Sequence, residues 1–210
     1  MIFSTFALLF QMFSIPAIQF LKTSNALSNE PLIQAYKEAV VTLNTEDSKG
    51  TGFAISADGY IVTNAHVVED AFTLSASFPE HGVKKATVID IWEDVDLAIV
   101  KVNGENLPHL PLAKDVTYTA DEAIQFIGNP LAFSGIANEG TTIAQANTSL
   151  AIPAVMMDAP VYKGNSGSPV FTKDGAVIGV IYATMKTDDY GKVGLFVPID
   201  ALHERFQLPK

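Results

Sequence analysis

Residues 163 to 170 read Lys-Gly-Asn-Ser-Gly-Ser-Pro-Val and place one serine, Ser166, in a tight turn flanked by Gly164 and Gly167. A serine hydroxyl becomes a nucleophile only when a base takes its proton and donors await the developing oxyanion. The two glycines let the backbone adopt dihedrals that aim amide N–H groups at one point beside Ser166. In isolation the stretch is an ordinary Gly/Asn/Ser turn between strands, so its chemistry depends on partners. Of the four histidines, His81 and His109 lie in loop-like Pro-Glu-His-Gly and Pro-His-Leu-Pro contexts, and His203 lies on a terminal helix. His66 differs, because it follows the apolar run Tyr60-Ile-Val-Thr directly and would be held by the sheet beneath it, as an acid–base group must be. Asp96 opens Asp-Leu-Ala-Ile-Val, an acid ahead of a buried-type strand. Burying such a carboxylate costs several kcal/mol unless it is hydrogen-bonded, and His66 is a natural partner whose tautomer it would fix. The alternative role for Asp96 is a strand-start cap. Glu93 and Asp94 read as solvated turn charges.

The elements that must hold these residues are short and of β type. Apolar runs fall at Val40–Leu43, Gly52–Ser56, Tyr60–Thr63, Phe72–Ser77, Lys84–Ile91, Leu97–Val102, Ala123–Ile127, Thr141–Ala146, Ala154–Met157, Pro169–Phe171, Ala176–Ala183 and Val193–Val197. Asp58-Gly59 and Asp174-Gly175 are hairpin signals between such runs. Pro31 to Val40 predicts a short helix or an extended lead-in, and Ile199 to Phe206 a terminal helix with Asp200 near its start. Many close-spaced strands without alternating helices predict all-β barrels or a sandwich. The proline-containing stretch from Val102 to Thr119 suits a crossover between two halves. The order His66, Asp96, Ser166 excludes the α/β-hydrolase elbow, which needs Gly-x-Ser-x-Gly and a serine that comes first.

Composition narrows the class. The chain has 210 residues, 48% hydrophobic and 17% charged, with net charge −10, which describes a packed globular protein and disfavours nucleic acid or an anionic membrane surface as partner. It has no cysteine, so disulfides, zinc thiolates and a cysteine nucleophile are excluded. The histidines show no metal-ligand spacing, and neither a metal nor another cofactor is expected. Residues 2 to 21 carry no charge, and Ser24-Asn25-Ala26 offers small residues for a signal peptidase. The segment also suffices to span a bilayer. Residues 1–26 therefore read as a signal peptide or a retained membrane anchor, and 27–210 as one domain. An extracytoplasmic protein, secreted or anchored, is expected either way.

Three segments carry a family resemblance. Gly50-Thr-Gly-Phe-Ala-Ile-Ser with Asp58-Gly-Tyr-Ile-Val-Thr-Asn-Ala-His66-Val-Val, Asp94-Val-Asp96-Leu-Ala-Ile-Val-Lys, and Ile127-Gly-Asn-Pro130 with Asp158-Ala-Pro-Val-Tyr-Lys-Gly-Asn-Ser166-Gly resemble the landmarks of trypsin/chymotrypsin-fold serine proteases. The chain is most similar to the protease domain of the HtrA (Deg) group, from about Ala39 to Pro198. The resemblance implies two antiparallel six-stranded barrels with a cleft between them, His66 and Asp96 on the first and Ser166 on the second. It implies an oxyanion hole formed by the N–H groups of Gly164 and Ser166. Ser168 departs from the usual second glycine and is similar to the glutamyl endopeptidase branch. That branch reads glutamate with a histidine on the strand matching Gly179–Ala183, which here has none.

The resemblance also places the substrate pocket. Its base falls near Pro160 and Val161 and its wall at Ile181, Tyr182 and Ala183, so the expectation is a preference for small or medium aliphatic residues before the scissile bond. HtrA proteins usually carry PDZ domains after the protease domain, and the end at Lys210 leads to the expectation of none here. Polypeptides, unfolded or loosely folded, are the expected substrates. A non-catalytic binding module on the same barrels and an esterase remain the rival readings. Oligomeric state is not legible in the residues.

Overall fold

The structure, a computed structural model, describes residues 15–130 and 133–209. The strands β1 (Val40–Asn44), β2 (Lys49–Ala54), β3 (Tyr60–Thr63), β4 (Ser75–Phe78), β5 (Gly82–Trp92) and β6 (Leu97–Val102) close into one barrel in the order β1-β2-β3-β6-β5-β4. A second barrel closes in the order β10-β11-β12-β9-β8-β7, from β7 (Ala123–Gly128), β8 (Ile136–Ala146), β9 (Ala154–Asp158), β10 (Pro169–Thr172), β11 (Val177–Thr187) and β12 (Gly191–Pro198). Every pairing between these strands is antiparallel. The helices among the described residues are α1 (Ile15–Leu27), α2 (Pro31–Ala39), α3 (Ala65–Val68) and α4 (Asp200–His203), with a 3₁₀ turn at Glu93–Val95. Each expected strand exists, and the two-barrel, all-β expectation holds.

The period-2 alternation of strands explains why several runs are apolar throughout. In β6, Ala98, Val100 and Val102 join Val41, Leu43, Ile61 and Phe78 inside the first barrel. Leu97 and Ile99 point the other way, into a layer with Phe53, Ile127, Phe171, Val180 and Val197 that cements the barrels together. Successive side chains face opposite sides of a strand, so a strand with a core on each side needs hydrophobics at every position. Phe126, Val155, Met157, Val170 and Phe196 fill the second barrel. Both expected hairpins form, with Gly59 and Gly175 in the left-handed region at φ 103° and 89°.

Boundaries differ where polar contacts replace the ladder. The run expected from Phe72 starts as a strand only at Ser75, because the N–H groups of Phe72 and Thr73 donate to the Glu46 carboxylate at 2.8 and 3.1 Å. The backbone N–H of Glu46 itself first, and then those of Phe72 and Thr73, hold the Glu46 carboxyl down at about 2. The terminal helix is shorter than Ile199–Phe206. It gives way to turns after His203, and Phe206 folds back over Tyr60 at a ring separation of 5.6 Å. Pro31–Ala39 is the helical one of its two expected forms. Proline at its first turn forfeits no helical bond, and its Tyr36 hydroxyl donates to the Gly175 carbonyl at 2.5 Å.

The apolar leader falls in two parts. Residues 2 to 14 lie outside the described residues. The remainder forms α1, which runs across the expected boundary between residues 26 and 27 and lies on β8. Among the described residues, no helix is long and apolar enough to cross a membrane.

Candidate active site

His66 sits on α3, a single helical turn entered straight from β3 through Asn64. Asp96 follows the 3₁₀ turn and takes the left-handed conformation, φ 51° and ψ 47°, immediately before β6. Aspartate is among the few residues that tolerate this region. The kink turns its carboxylate back toward α3, where His66 Nδ1 lies 2.8 Å from Oδ2 and 3.0 Å from Oδ1. The backbone N–H of His66 also donates to Oδ1 at 3.1 Å, and Asn64 Nδ2 donates to the Asp96 carbonyl at 2.8 Å. Asp96 is only 9% exposed, and these contacts compensate its desolvation. The hydrogen bond that the His66 ring donates to Asp96 is the largest influence raising the His66 pKa above its ordinary value. Burial opposes it, and the charges of Asp96 and Glu69 add to it. A carboxylate on Nδ1 fixes the tautomer that leaves Nε2 free to accept a proton.

Ser166 lies in the turn between β9 and β10. This turn is anchored to the first barrel through β2. Thr51 N–H donates to the Ser166 carbonyl at 2.9 Å, and Thr51 Oγ1 donates to the Gly164 carbonyl at 2.7 Å. Gly167 has φ 85°, and a Cβ there would stand 1.9 Å from the Thr51 carbonyl oxygen, so no other residue fits. Next to Thr51, Gly50 abuts Val67, the neighbour of His66. β2 therefore ties the serine turn to the helical turn that carries the histidine. Among the described residues, no hydrogen bond joins the Ser166 hydroxyl to His66; the structure brings Asp96 and His66 into contact and holds Ser166 on a turn bonded to β2 of the barrel that carries them.

The N–H groups of Gly164 and Ser166 have no acceptor among the described residues, whereas those of Asn165, Gly167 and Ser168 donate to the carbonyls of Tyr162, Ile181 and Asn165. Gly164 has φ 98°. Two free amides in a turn otherwise satisfied are suited to receive an anionic oxygen. Ser168 is fully buried, as is Asn165, and the side-chain polar atoms of both lack partners. The Ser168 hydroxyl lies against the bare Cα face of Gly128.

A cavity of about 240 Å³ adjoins Ser166. Val161, Tyr162, Lys163, Ile181, Tyr182, Ala183, Thr184 and Lys192 line it with the serine. Four of the five expected pocket residues are there. Pro160 is not; it lines a neighbouring cavity of about 340 Å³ with Ala159, Val161 and Val193. Val161, Tyr162, Thr184 and Lys192 line both cavities. Tyr182 reaches the pocket through a β-bulge: Ile181 pairs with Phe196 and Ala183 with Leu195, which leaves Tyr182 as the extra residue. Tyr162, Lys163, Thr184 and Lys192 were missed in the sequence. Proximity to Ser166 could have flagged the first two. Lys192 arrives from the next strand, and only the β11–β12 register places it there.

Residues 50–180 match the family described as trypsin-like peptidase domain. A probable periplasmic serine endoprotease of the DegP-like type from Chlamydia pneumoniae is 37% identical over 159 residues, covering 73% of this chain and 32% of the relative. A protein of the same description from Pseudomonas fluorescens is 34% identical over 160 residues, covering 73% and 33%. The chain thus spans about a third of the length of the curated relatives it matches. Among solved structures, the inactive form of the Rv3671c protease of M. tuberculosis superposes with a TM-score of 0.73 at 25% identity, over 86% of this chain and 93% of that one. The HtrA-type protease AlgW with a tripeptide gives a TM-score of 0.74 at 25% identity, over 82% and 60%. In sequence and in barrel architecture alike, the chain belongs to the trypsin-like peptidase domain family.

Proposed function

We propose that the protein is an extracytoplasmic serine endopeptidase in which His66, Asp96 and Ser166 act as a catalytic triad. His66 takes the Ser166 proton as Oγ bonds to the carbonyl carbon of the scissile peptide. The tetrahedral oxyanion is received by the N–H groups of Gly164 and Ser166. Collapse breaks the C–N bond, His66 hands its proton to the departing amine, and an acyl-enzyme remains. Water, deprotonated by the same histidine, then releases the acid and restores the serine. Asp96 holds the imidazole and stabilises its charged form without itself being protonated. The observation that carries this reading is the bonding of His66 Nδ1 to the buried Asp96 carboxylate at 2.8 Å.

The substrates proposed are unfolded or loosely folded polypeptides, which alone can lay an extended segment in the cleft. Val161, Ile181 and Ala183 offer apolar walls in a cavity of about 240 Å³, which supports a preference for small or medium aliphatic side chains before the scissile bond. Discrimination in such a pocket amounts to about 1–3 kcal/mol per methylene. The periplasmic descriptions of the relatives support export. The test is cleavage of a reduced, unfolded protein by wild type and by Ser166→Ala. Fragments formed by wild type, with a loss of at least about 10³-fold in the variant, are expected. Equal cleavage by the two would end the reading.

A further inference from the structure

The second half of the apolar leader is built into the second barrel. Phe20 is 4% exposed and joins Phe126, Val161 and Phe196 in the cluster that fills that barrel. Ser24 is buried as well, and its Oγ accepts the N–H of Ala137 at 3.1 Å. The carbonyl of Phe20 accepts from the side chain of Asn138, itself buried, at 2.9 Å. α1 ends at Leu27, also buried, and is followed by Ser28, whose N–H and hydroxyl both donate to the Ser24 carbonyl at 3.0 and 2.6 Å. Lys37 of α2 then donates to the Ser28 hydroxyl at 2.6 Å. A cut near Ala26, where the sequence offers small residues, would strip the Asn138 amide and the Ala137 N–H of their acceptors. A buried donor left unpaired in this way is costly. Loss of Phe20 would also open the barrel's apolar filling to water.

Phe20 reaches further, to the pocket. Its ring meets that of Tyr162 edge to face, with centroids 4.9 Å apart and planes at 68°. Tyr162 lines the cavity beside Ser166, and its carbonyl accepts the N–H of Asn165, the residue before the nucleophile. On the pocket side, the Lys192 ammonium stands 5.9 Å from the centre of the Tyr162 ring. Tyr162 thus meets both Phe20 and Lys192 while its backbone carbonyl holds the residue before Ser166.

We propose that α1 is retained in the mature protein as a working part of the protease, and that Phe20 is a positioning residue that sets Tyr162 at the wall of the substrate pocket. The chain then begins upstream of Phe20, whether or not anything is removed before it. This inference rests on the reading of the Ser166 cavity as the substrate pocket. Its first half is independent of catalysis.

Two measurements on the full chain, expressed in a host that exports it, test the proposal. Intact-mass and N-terminal analysis of the folded protein should place the first residue upstream of Phe20. A first residue at or beyond Leu21 in the folded protein would overturn retention. The second compares Phe20→Leu, which keeps an apolar side chain in the barrel, with Ile18→Ala on the exposed side of the same helix. An aromatic pair is worth enough for about a threefold to tenfold effect. Phe20→Leu should therefore raise KM by about that factor with kcat nearly unchanged and should alter selectivity for the residue before the scissile bond. Ile18→Ala should leave both as in wild type. Unchanged KM and selectivity in Phe20→Leu would remove its positioning role, and failure of wild type itself to turn over would instead strike the proposed function.

Discussion

At the scale of single residues, the proposed chemistry depends on how Asp96 is held. Its left-handed backbone, its burial and its bonds to both the ring and the backbone of His66 make one carboxylate fix both where the imidazole lies and which nitrogen carries the proton. Asp96→Asn keeps the shape but reverses the hydrogen-bond sense at Nδ1. It should lower turnover by about 10⁴-fold, as in the serine-protease template, with little change in melting temperature. The base must be neutral to work, so activity falls as pH drops through the His66 pKa, which lies above the ordinary value of about 6.5. Since the Asp96 hydrogen bond is the largest cause of that rise, the acid limb of the residual activity should move to lower pH in the variant. A pH–rate profile checks both. Near-normal turnover, or an unmoved limb, would remove Asp96 from its proposed role.

At the scale of elements, α2 shows how a short helix earns its place by tertiary contact. Tyr36 reaches across 139 residues of sequence to the carbonyl of Gly175 and packs edge-on against Phe171 at 5.1 Å. Tyr36→Phe keeps the ring and deletes the hydroxyl, and should destabilise by about 0.5–1.5 kcal/mol or slightly more, measured by denaturant titration. No change would mean that the bond contributes nothing net. The strands were legible because turn residues punctuate apolar runs. Their ends were not, since amides such as those of Phe72 and Thr73 can equally serve a ladder or the Glu46 carboxylate. His66, Asp96 and the serine turn were legible in their motifs. Tyr162 and Lys192 were not, because pocket walls depend on cross-strand register and on the bulge at Tyr182. For α1, composition alone suggested a leader. That its far half packs on β8 depends on Phe20 and Ser24 meeting Asn138 and Ala137, residues more than a hundred positions away.

At the scale of the whole molecule, two barrels share one apolar layer, and the proposed triad is divided between them. The first barrel contributes His66 and Asp96, the second Ser166 and the pocket, and Thr51 bonds across the seam to the Ser166 and Gly164 carbonyls. The pH dependence of stability should oppose that of activity. A histidine whose pKa is raised on folding contributes stability that is fully present below its unfolded value and is lost as pH rises through the folded one. The melting-temperature gap between wild type and His66→Ala should therefore be wider at about pH 6 than at about pH 9, by calorimetry. A gap that widens with pH would contradict the direction of the His66 shift. The claim on which all of this depends is that Ser166 is the nucleophile. The most direct measurement is reaction of the folded protein with a fluorophosphonate, followed by digestion and tandem mass spectrometry. A single adduct on Ser166, slowed in Asp96→Asn and absent from Ser166→Ala, is the predicted result; folded protein with no adduct, or with the adduct on another residue, would contradict it.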